Sequence, residues 1–528
     1  MRALPNDFDR WNVTNFSAED MMPYFNRLES YDASIPVPDF WADGPPLSKR
    51  GSDGPLNTIV GDAVTSPIAR DFISSSLAAG LPLASLGFNE PDTEKRIGVG
   101  YYEFNIRNGI RDSAARAFLS PGDRNAEVPE NLIIRTDATV EKVLFDTCTN
   151  NSVDEGNDNP CEPKSVGVRY FSSKNGTFKE VRLRHVPTTT LQETKQRVPE
   201  IILAAGTILT PQILANSGIH ENGTVVDSKN VGSNVQDHPV VGVVFHTKEN
   251  MTESIGSYFN LDKDSTKTFE SYLDSIKYSQ STGRRVEMSK NAKVYGTPGF
   301  AVGAFLRSPS SHKSDASSAS RGRAPDIQLT FFPHTIEPHF IQRHNLTSGP
   351  KIHSILVTVA LLKPEATYKL DLYHPSGKLD RPGTKSVETP RTQFEKMFQF
   401  HVPDIQGGTL SGRDLQRLAW GVNQVRNIMS VPPLSNNIDT EQMPGDQYQN
   451  RMLENFIDRH IMRNSHWAGS TRMGNDDDKN SVVDSKLRVR GVKDLRIVDA
   501  GIMPFIPNGN THSTTCALAL RGVDLIFG

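Results

Sequence analysis

The last part of the chain alternates apolar and polar positions in two different periods. Residues 487–489 and 495–497 carry apolar side chains at every second position, which predicts two short strands with one inward face each. A Pro-Asn-Gly-Asn run at 507–510 is typical of a tight turn. Beyond it, apolar residues recur at helical spacing up to the end of the sequence. The pattern therefore predicts two strands, a turn and a final helix, which Thr511 or Ser513 could cap.

Upstream, a continuous apolar run at 201–207 predicts a buried strand of parallel type, and a helix over 210–219 follows it. Residues 132–145 alternate as two consecutive strands. From about 240 to 460 the pattern is that of a large antiparallel sheet with amphipathic helices. Its predicted strands are 240–245, 325–332, 355–362 and 368–373, and its predicted helices are 267–278, 412–429 and 447–462.

A histidine stands in a polar loop before the two C-terminal strands. The loop reads Asn-Ser-His-Trp-Ala-Gly-Ser at 464–470, and the strands read Leu-Arg-Val-Arg-Gly and Leu-Arg-Ile-Val-Asp-Ala. This succession resembles the C-terminal signature of the glucose–methanol–choline (GMC) family of flavin oxidoreductases. Residues 201–219 and 231–239, the latter reading Val-Gly-Ser-Asn-Val-Gln-Asp-His-Pro, resemble two further segments of that family.

The resemblance implies a fold of class α/β plus α+β with two lobes. An FAD-binding, Rossmann-like lobe would be interleaved with a substrate lobe built on an antiparallel sheet. We expect residues 1–240 to form the N-terminal region with the FAD lobe and its covering loops, 241–463 the substrate lobe, and 464–528 a C-terminal segment that returns to the FAD and the active site.

Alcohol oxidation needs a base for the hydroxyl proton and an acceptor for the hydride on carbon. A neutral imidazole is a suitable base near pH 7, whereas no side chain accepts hydride, so a cofactor must. By the resemblance that cofactor is FAD, His466 is the base, and Asn510 hydrogen-bonds the substrate oxygen. The residues that would hold FAD are Val140, at the adenine, and Asp499, Ala500, Asn510 and Thr511, at the flavin end.

Each of these residues also has a plainer reading. Taken alone, His466 would be a loop histidine with a single hydrogen bond, and Asn510 a turn residue that tolerates positive φ. His512 lies two positions beyond Asn510 and is kept as an alternative catalytic residue. Trp467 is expected to be a pocket wall, and His238 part of a structural turn. The acidic run at 476–478 lacks spaced partners, so we predict no metal site.

The Gly-x-Gly-x-x-Gly turn that cradles the pyrophosphate of a dinucleotide is not found in the sequence. Gly98 and Gly100 have no third glycine after them, and a strand is predicted there instead of a helix. The family also has about a hundred residues ahead of the segment that resembles residues 7–25. We therefore expect a GMC chain that lacks the N-terminal βαβ unit and binds FAD poorly as written.

Composition narrows the remaining choices. A net charge of −3 and a pI near 6.5 give no electrostatic case for nucleic acid or an anionic membrane, and no apolar run approaches the ~18 residues of a membrane span. No signal peptide is visible at the first residue. Cys148 and Cys161 flank an acidic loop and could form a disulfide or remain free thiols. With seven Asn-x-Ser/Thr sites, a disulfide would favour secretion.

Three functional hypotheses follow from the sequence. The first is an FAD-dependent oxidoreductase acting on the CH–OH group of a small alcohol, with oxygen or a quinone-like compound as electron acceptor. The second is a flavin-containing lyase that cleaves cyanohydrins with a similar histidine and without net redox change. The third is a truncated, inactive homologue. The sequence does not identify the alcohol, nor does it distinguish an oxidase from a dehydrogenase.

Overall fold

The computed structural model describes residues 1–33, 49–60, 67–84, 86–119, 130–146, 162–184, 198–248, 270, 273–274, 299–309, 324–333, 354–372 and 410–528. The α-helices are α1 (Pro5–Trp11), α2 (Ala18–Leu28), α3 (Pro67–Ala78), α4 (Thr93–Arg96), α5 (Ala114–Leu119), α6 (Gly206–Asn216), α7 (Gly412–Met429), α8 (Asn450–His460) and α9 (His512–Phe527). Short 3-10 helices lie at Leu434–Asn436 and Ala500–Ile502.

The strands are β1 (Glu29–Tyr31), β2 (Leu56–Val60), β3 (Gly98–Tyr101), β4 (Glu103–Phe104), β5 (Ile106–Arg107), β6 (Ile110–Arg111), β7 (Ala138–Asp146), β8 (Lys164–Ser172), β9 (Thr177–Arg182), β10 (Ile201–Leu203), β11 (Ile219–His220), β12 (Val226–Asp227), β13 (Pro239–Thr247), β14 (Val302–Leu306), β15 (Ile327–Phe332), β16 (Ser354–Leu361), β17 (Ile438–Met443), β18 (Met462–Arg463) and β19 (Leu495–Ile497).

A seven-stranded antiparallel sheet forms the core of one lobe. Its strands follow the order β17-β13-β16-β15-β14-β3, and β18 pairs with β13. Nearly every residue of β13 to β16 is buried, so apolar side chains cover both faces. Helix α7 packs directly on the sheet at Gly421. The approach is so close that a Cβ atom at this position would come within 2.5 Å of Cγ1 of Val359. The edge strand β3 comes from residues 98–101, so the N-terminal region contributes to this lobe.

The second lobe is built around a short parallel pair. Strands β10 and β19 are parallel, with Ile201 opposite Leu495 and Leu203 opposite Ile497, which confirms the parallel type predicted from the apolar run. An antiparallel sheet of β7, β8 and β9 packs on this pair, because Val143 of β7 is buried in the same hydrophobic cluster as Ile201 and Leu495. Helix α2 packs against α9, where the hydroxyl of Tyr24 donates to Oδ2 of Asp524 over 2.6 Å.

Several predicted elements agree closely with the structure. The helix predicted over 412–429 is α7 with the same bounds, and Ser411 caps it by accepting from the backbone N–H of Asp414. The strands predicted over 240–245 and 355–362 are β13 and β16, and the final helix is α9. The glycines at 98 and 100, after which a strand was predicted, lie within strand β3 itself and do not form a dinucleotide turn.

Other predictions need correction. Only the second of the two strands predicted over 132–145 forms, as β7, and Ile133 is 85% exposed in irregular chain before it. The strand predicted at 487–489 is reduced to isolated bridges. Of the strand predicted at 368–373, the described residues 368–372 form isolated bridges only, one of them between Tyr368 and Val235. Thr511 occupies the N-cap position of α9, but its side chain makes no capping hydrogen bond.

The remaining predictions fall on parts of the chain that the structure does not describe. Most of the helix predicted over 267–278 lies outside the described residues, as do Cys148 and Cys161. The disulfide and the lean towards secretion therefore stay predictions, as do the domain boundaries at 240 and 463. In the described ranges no helix is long and apolar enough to cross a membrane, and no group of three or more metal-ligating side chains is assembled.

Candidate active site

One buried carboxylate fixes the loop that carries His466. Oδ1 of Asp237 accepts from the backbone N–H of His466 over 2.7 Å and from that of His238 over 2.8 Å, and Oδ2 accepts from Ser465 over 3.1 Å. The loop is also paired to the chain beside Asp237, because Gln236 and Ala468 exchange two backbone hydrogen bonds. These contacts hold the entry to β13 and the loop before the C-terminal strands as one unit.

The ring of His466 has a partner at each nitrogen. Its Nε2 atom lies 3.0 Å from Nδ2 of Asn510, and its Nδ1 atom lies 2.9 Å from Nδ1 of His238. The two imidazoles meet edge to face, with ring centroids 5.1 Å apart and an interplanar angle of 84°. The fold thus brings together His466 and Asn510, which are 44 positions apart in sequence and were predicted as a pair.

Burial controls the protonation of this group. Desolvation by burial is the main cause that lowers the pKa of His466 to about 4. Desolvation also lowers the pKa of His238 well below its usual value, and the neighbouring His466 adds to this effect. Burial raises the pKa of Asp237 to about 6, although the three backbone N–H donors and the charge of Arg463 act to lower it. Both imidazoles are therefore neutral at pH 7.

The start of α9 lies beside Asn510 and carries unused polar groups. The turn before the helix requires Gly509, which has φ of +110°. Asn508 is 2% exposed, and neither side-chain polar atom has a hydrogen-bond partner in the described part of the chain. The buried hydroxyl of Thr514, in the first turn of α9, also has no partner there. With no side-chain cap, the first N–H groups of the helix form an electropositive end.

Asp499 has a different environment. Its Oδ2 atom accepts from the backbone N–H of Gly206 over 3.0 Å and from the hydroxyl of Thr210 over 2.6 Å, and its Oδ1 atom accepts from Gly501 over 2.8 Å. The carboxylate therefore closes the junction between β10 and α6 and explains why α6 begins at Gly206, four residues before the predicted start. A direct contact of Asp499 with a cofactor stays a prediction.

The other predicted residues lie on separate elements. Val140 is on β7 opposite Tyr170, and it takes no part in the hydrogen bonds that join the histidines. Ala500 begins a 3-10 helix, and its carbonyl accepts from Gly469 in the His466 loop over 3.2 Å. His512 is exposed, with Nε2 3.9 Å from Sγ of Cys516.

Trp467, the predicted pocket wall, lies against a basic side chain. The guanidinium carbon of Arg463 lies 5.6 Å from the centroid of the indole. The backbone carbonyl of Trp467 accepts from the hydroxyl of Thr207 over 2.8 Å, which ties the His466 loop to α6. Whether the indole also borders a substrate stays a prediction.

The described residues fit the flavin ring of FAD at one end. The uncapped start of α9, the buried amide of Asn508 and the hydroxyl of Thr514 are suited to the polar edge of a ring system. The β10–α6 junction is not suited to the pyrophosphate, because the carboxylate of Asp499 already accepts from its first N–H group and would repel a phosphate.

The comparisons with known proteins identify the family of the chain. Residues 1–240 match the N-terminal part and residues 401–519 the C-terminal part of the family described as GMC oxidoreductase. The chain therefore belongs to the GMC oxidoreductase family. It is 26% identical over 534 residues to the oxygen-dependent choline dehydrogenase of Pseudomonas putida (strain GB-1), covering 100% of this chain and 77% of that protein.

Solved structures show the same fold. A formate oxidase variant from Aspergillus oryzae RIB40 superposes with a TM-score of 0.71 at 18% identity, covering 100% of this chain and 81% of that one. A fungal aryl-alcohol oxidase superposes with a TM-score of 0.69 at 17% identity, covering 99% and 83%. The two-lobed fold predicted from the sequence is confirmed, and the protein is an FAD-dependent oxidoreductase that acts on CH–OH donors.

Sequence reasoning undervalued His238. Its motif predicts a turn, and the structure does place it at the entry to β13, yet its ring is also the closest neighbour of Nδ1 of His466. The available signal was the acidic residue before it, because a buried Asp beside a His requires several donors. Two of its three donors come from residues 228 and 229 positions away, which no local pattern shows.

Proposed function

We propose that His466 is the base that removes the hydroxyl proton of a small alcohol, and that Asn510 binds the same oxygen. The observation that carries this proposal is the pair of atoms Nε2 of His466 and Nδ2 of Asn510, 3.0 Å apart at the open side of the site. Asn510 is exposed, and His466 is half-buried. A hydroxyl group entering between them would meet one acceptor and one donor.

The proton inventory supports this assignment. The amide nitrogen of Asn510 can only donate, so Nε2 of His466 is an acceptor and carries a lone pair. The substrate oxygen would accept from Asn510 and donate to Nε2, replacing the direct bond between the two side chains. As the proton leaves, Asn510 stabilises the developing negative charge on oxygen.

Burial keeps the base in its active form. Because the pKa of His466 is lowered to about 4, the imidazole is neutral across the physiological range and can accept a proton. When bound, FAD supplies the acceptor for the hydride that leaves the alcohol carbon. Asn508 and Thr514, whose side-chain polar atoms have no partner in the described part of the chain, and Thr511 at the N-cap of α9 would hold its ring.

We propose a small primary alcohol as substrate and oxygen as electron acceptor. The similar choline dehydrogenase is named as oxygen-dependent, and two of the similar structures are named as oxidases. A quinone-like acceptor is the alternative. Turnover of choline and of an aryl alcohol, each measured with oxygen and with a soluble quinone, distinguishes these substrates and acceptors.

The test of the base is His466→Gln. The glutamine keeps a polar side chain of similar length but has no basic nitrogen, so we expect kcat/KM to fall by about 10²–10⁴-fold with FAD content unchanged. His220→Gln is the matched control, because His220 lies on β11 and makes its ring contact with the carbonyl of Glu221. Equal activity of both variants would contradict the proposal.

The lyase hypothesis makes a different prediction for the same proteins. A lyase would cleave a cyanohydrin to a carbonyl compound and cyanide without any change in the flavin absorption. Cyanohydrin cleavage that depends on His466, together with no oxidation of any alcohol tested, would replace the oxidoreductase assignment.

A further inference from the structure

His238 has no access to a substrate, yet it contacts the ring proposed as the base. It is fully buried, and its Nδ1 atom lies 2.9 Å from Nδ1 of His466, on the side of that ring opposite Asn510. Its backbone N–H donates to Asp237, which also holds the backbone of His466. Both the ring and its support are therefore fixed relative to the base.

The protons in this row of side chains can be counted. A neutral imidazole has one N–H donor and one acceptor nitrogen. Since Asn510 donates to Nε2 of His466, the proton of that ring is on Nδ1, and Nδ1 donates to His238. Nδ1 of His238 is then the acceptor, and its own proton is on Nε2. Nε2 of His238 is buried and makes no direct hydrogen bond to a described residue, and the carbonyls of Pro507 and Leu362 raise the pKa of this ring against its burial.

We propose that His238 is a positioning residue that holds His466 in the tautomer with its proton on Nδ1, so that Nε2 presents the lone pair. This inference rests on the proposed function, in which Nε2 is the base. Without an acceptor at Nδ1, the isolated ring would exchange between both tautomers, and only one of them can take a proton at Nε2. His238 would thus play the part that a carbonyl or carboxylate plays beside other catalytic histidines.

A role in packing alone makes a different prediction. If His238 only filled space, an apolar residue of similar size would serve, and a polar one would be worse in a buried site. If it accepts a hydrogen bond, the order reverses. His238→Gln keeps an acceptor in its carbonyl oxygen, whereas His238→Leu has none, so the two variants separate the two roles.

The direct measurement is an NMR spectrum of the protein labelled with ¹⁵N in its histidine rings, without substrate. The His466 signals are assigned by their loss in His466→Gln. We expect the wild type to show the proton of His466 on Nδ1, His238→Gln to keep it there, and His238→Leu to show a mixture of tautomers. A proton on Nε2 of His466 in the wild type would overturn the inference, and this result needs no variant of His238 to fold.

Kinetics on the FAD-containing protein give the second readout. We expect His238→Leu to lower kcat by about 10–100-fold with little change in KM or FAD content, and His238→Gln to recover most of the loss. Equal loss in both variants, or a greater loss in His238→Gln, would overturn the positioning role. If the wild type oxidises no alcohol, the proposed function fails, whereas the NMR spectra still decide the tautomer.

Discussion

Replacing Asp237 by asparagine should change how the stability of the protein depends on pH. Asp237 is 1% exposed and accepts three backbone hydrogen bonds, from His238, Ser465 and His466. Burial raises its pKa from 3.8 to about 6. Between about pH 4 and pH 6, the carboxyl group of Asp237 is therefore protonated in the native state and ionised in the unfolded state. In this range, proton binding stabilises the native state.

The sign and size follow from that difference. Below pH 4 both states are protonated and the stabilisation is complete; it is lost as the pH rises through 6. A shift of about two pKa units corresponds to about 3 kcal/mol. Asparagine does not titrate, so the free energy of unfolding of the wild type, minus that of Asp237→Asn, should fall by about 2–3 kcal/mol from pH 4 to pH 7.

Urea denaturation of both proteins across this range measures the difference. Asp477→Asn, the same change at an exposed aspartate in the C-terminal segment, is the control and should give a nearly constant difference. A flat difference for Asp237→Asn, or one that grows with pH, would refute the reasoning that burial dominates the environment of this carboxylate.

Three further predictions concern single features. Because the pKa of His466 is about 4, kcat/KM at pH 5.5 should stay within about twofold of its value at pH 7, whereas a histidine with the usual pKa of about 6.5 would lose about tenfold. Thr210→Val removes a donor from the buried Asp499 and should cost about 1–3 kcal/mol by urea denaturation, and exposed Thr177→Val is its control. The methyl group of Gly421→Ala would press against Val359 and should cost about 1–3 kcal/mol in the same assay. An unchanged free energy of unfolding would contradict this prediction.

The sequence was most informative where local rules act alone. Helix α7 was predicted with its bounds because its cap, Ser411, and its apolar spacing are both local. Strands β13 and β16 were predicted to within two residues because their burial on both faces leaves continuous apolar runs. The final helix was predicted for the same reason, since its apolar stripe follows a turn with strong sequence preferences.

The errors arose where distant residues decide the outcome. Helix α6 begins early because Asp499, nearly 300 positions away, accepts from its first N–H group. The run at 132–134 has the alternation of a strand, but in the described chain it pairs with nothing and Ile133 is exposed. A period of two shows that a segment suits a sheet, and it does not show that a neighbouring strand is present.

The family signature indicated His466 and Asn510 as the residues of the site, and the fold places their side chains in contact. It could not show that His238 lies behind His466, because that contact depends on how the entry to β13 meets the C-terminal loop. The predicted cofactor contacts of Val140 and Asp499 stay predictions. The carboxylate of Asp499 already accepts a hydrogen bond from Thr210 within the protein.

If His466 is the base, an alcohol reduces the flavin of this protein in a reaction that depends on that side chain. The most direct test is the visible absorption of FAD in the protein prepared from its native host, mixed without oxygen with choline or an aryl alcohol. We expect rapid bleaching of the flavin band in the wild type and bleaching at least about 100-fold slower in FAD-containing His466→Gln. Bleaching of both at the same rate, or bound FAD that no alcohol reduces, would contradict it.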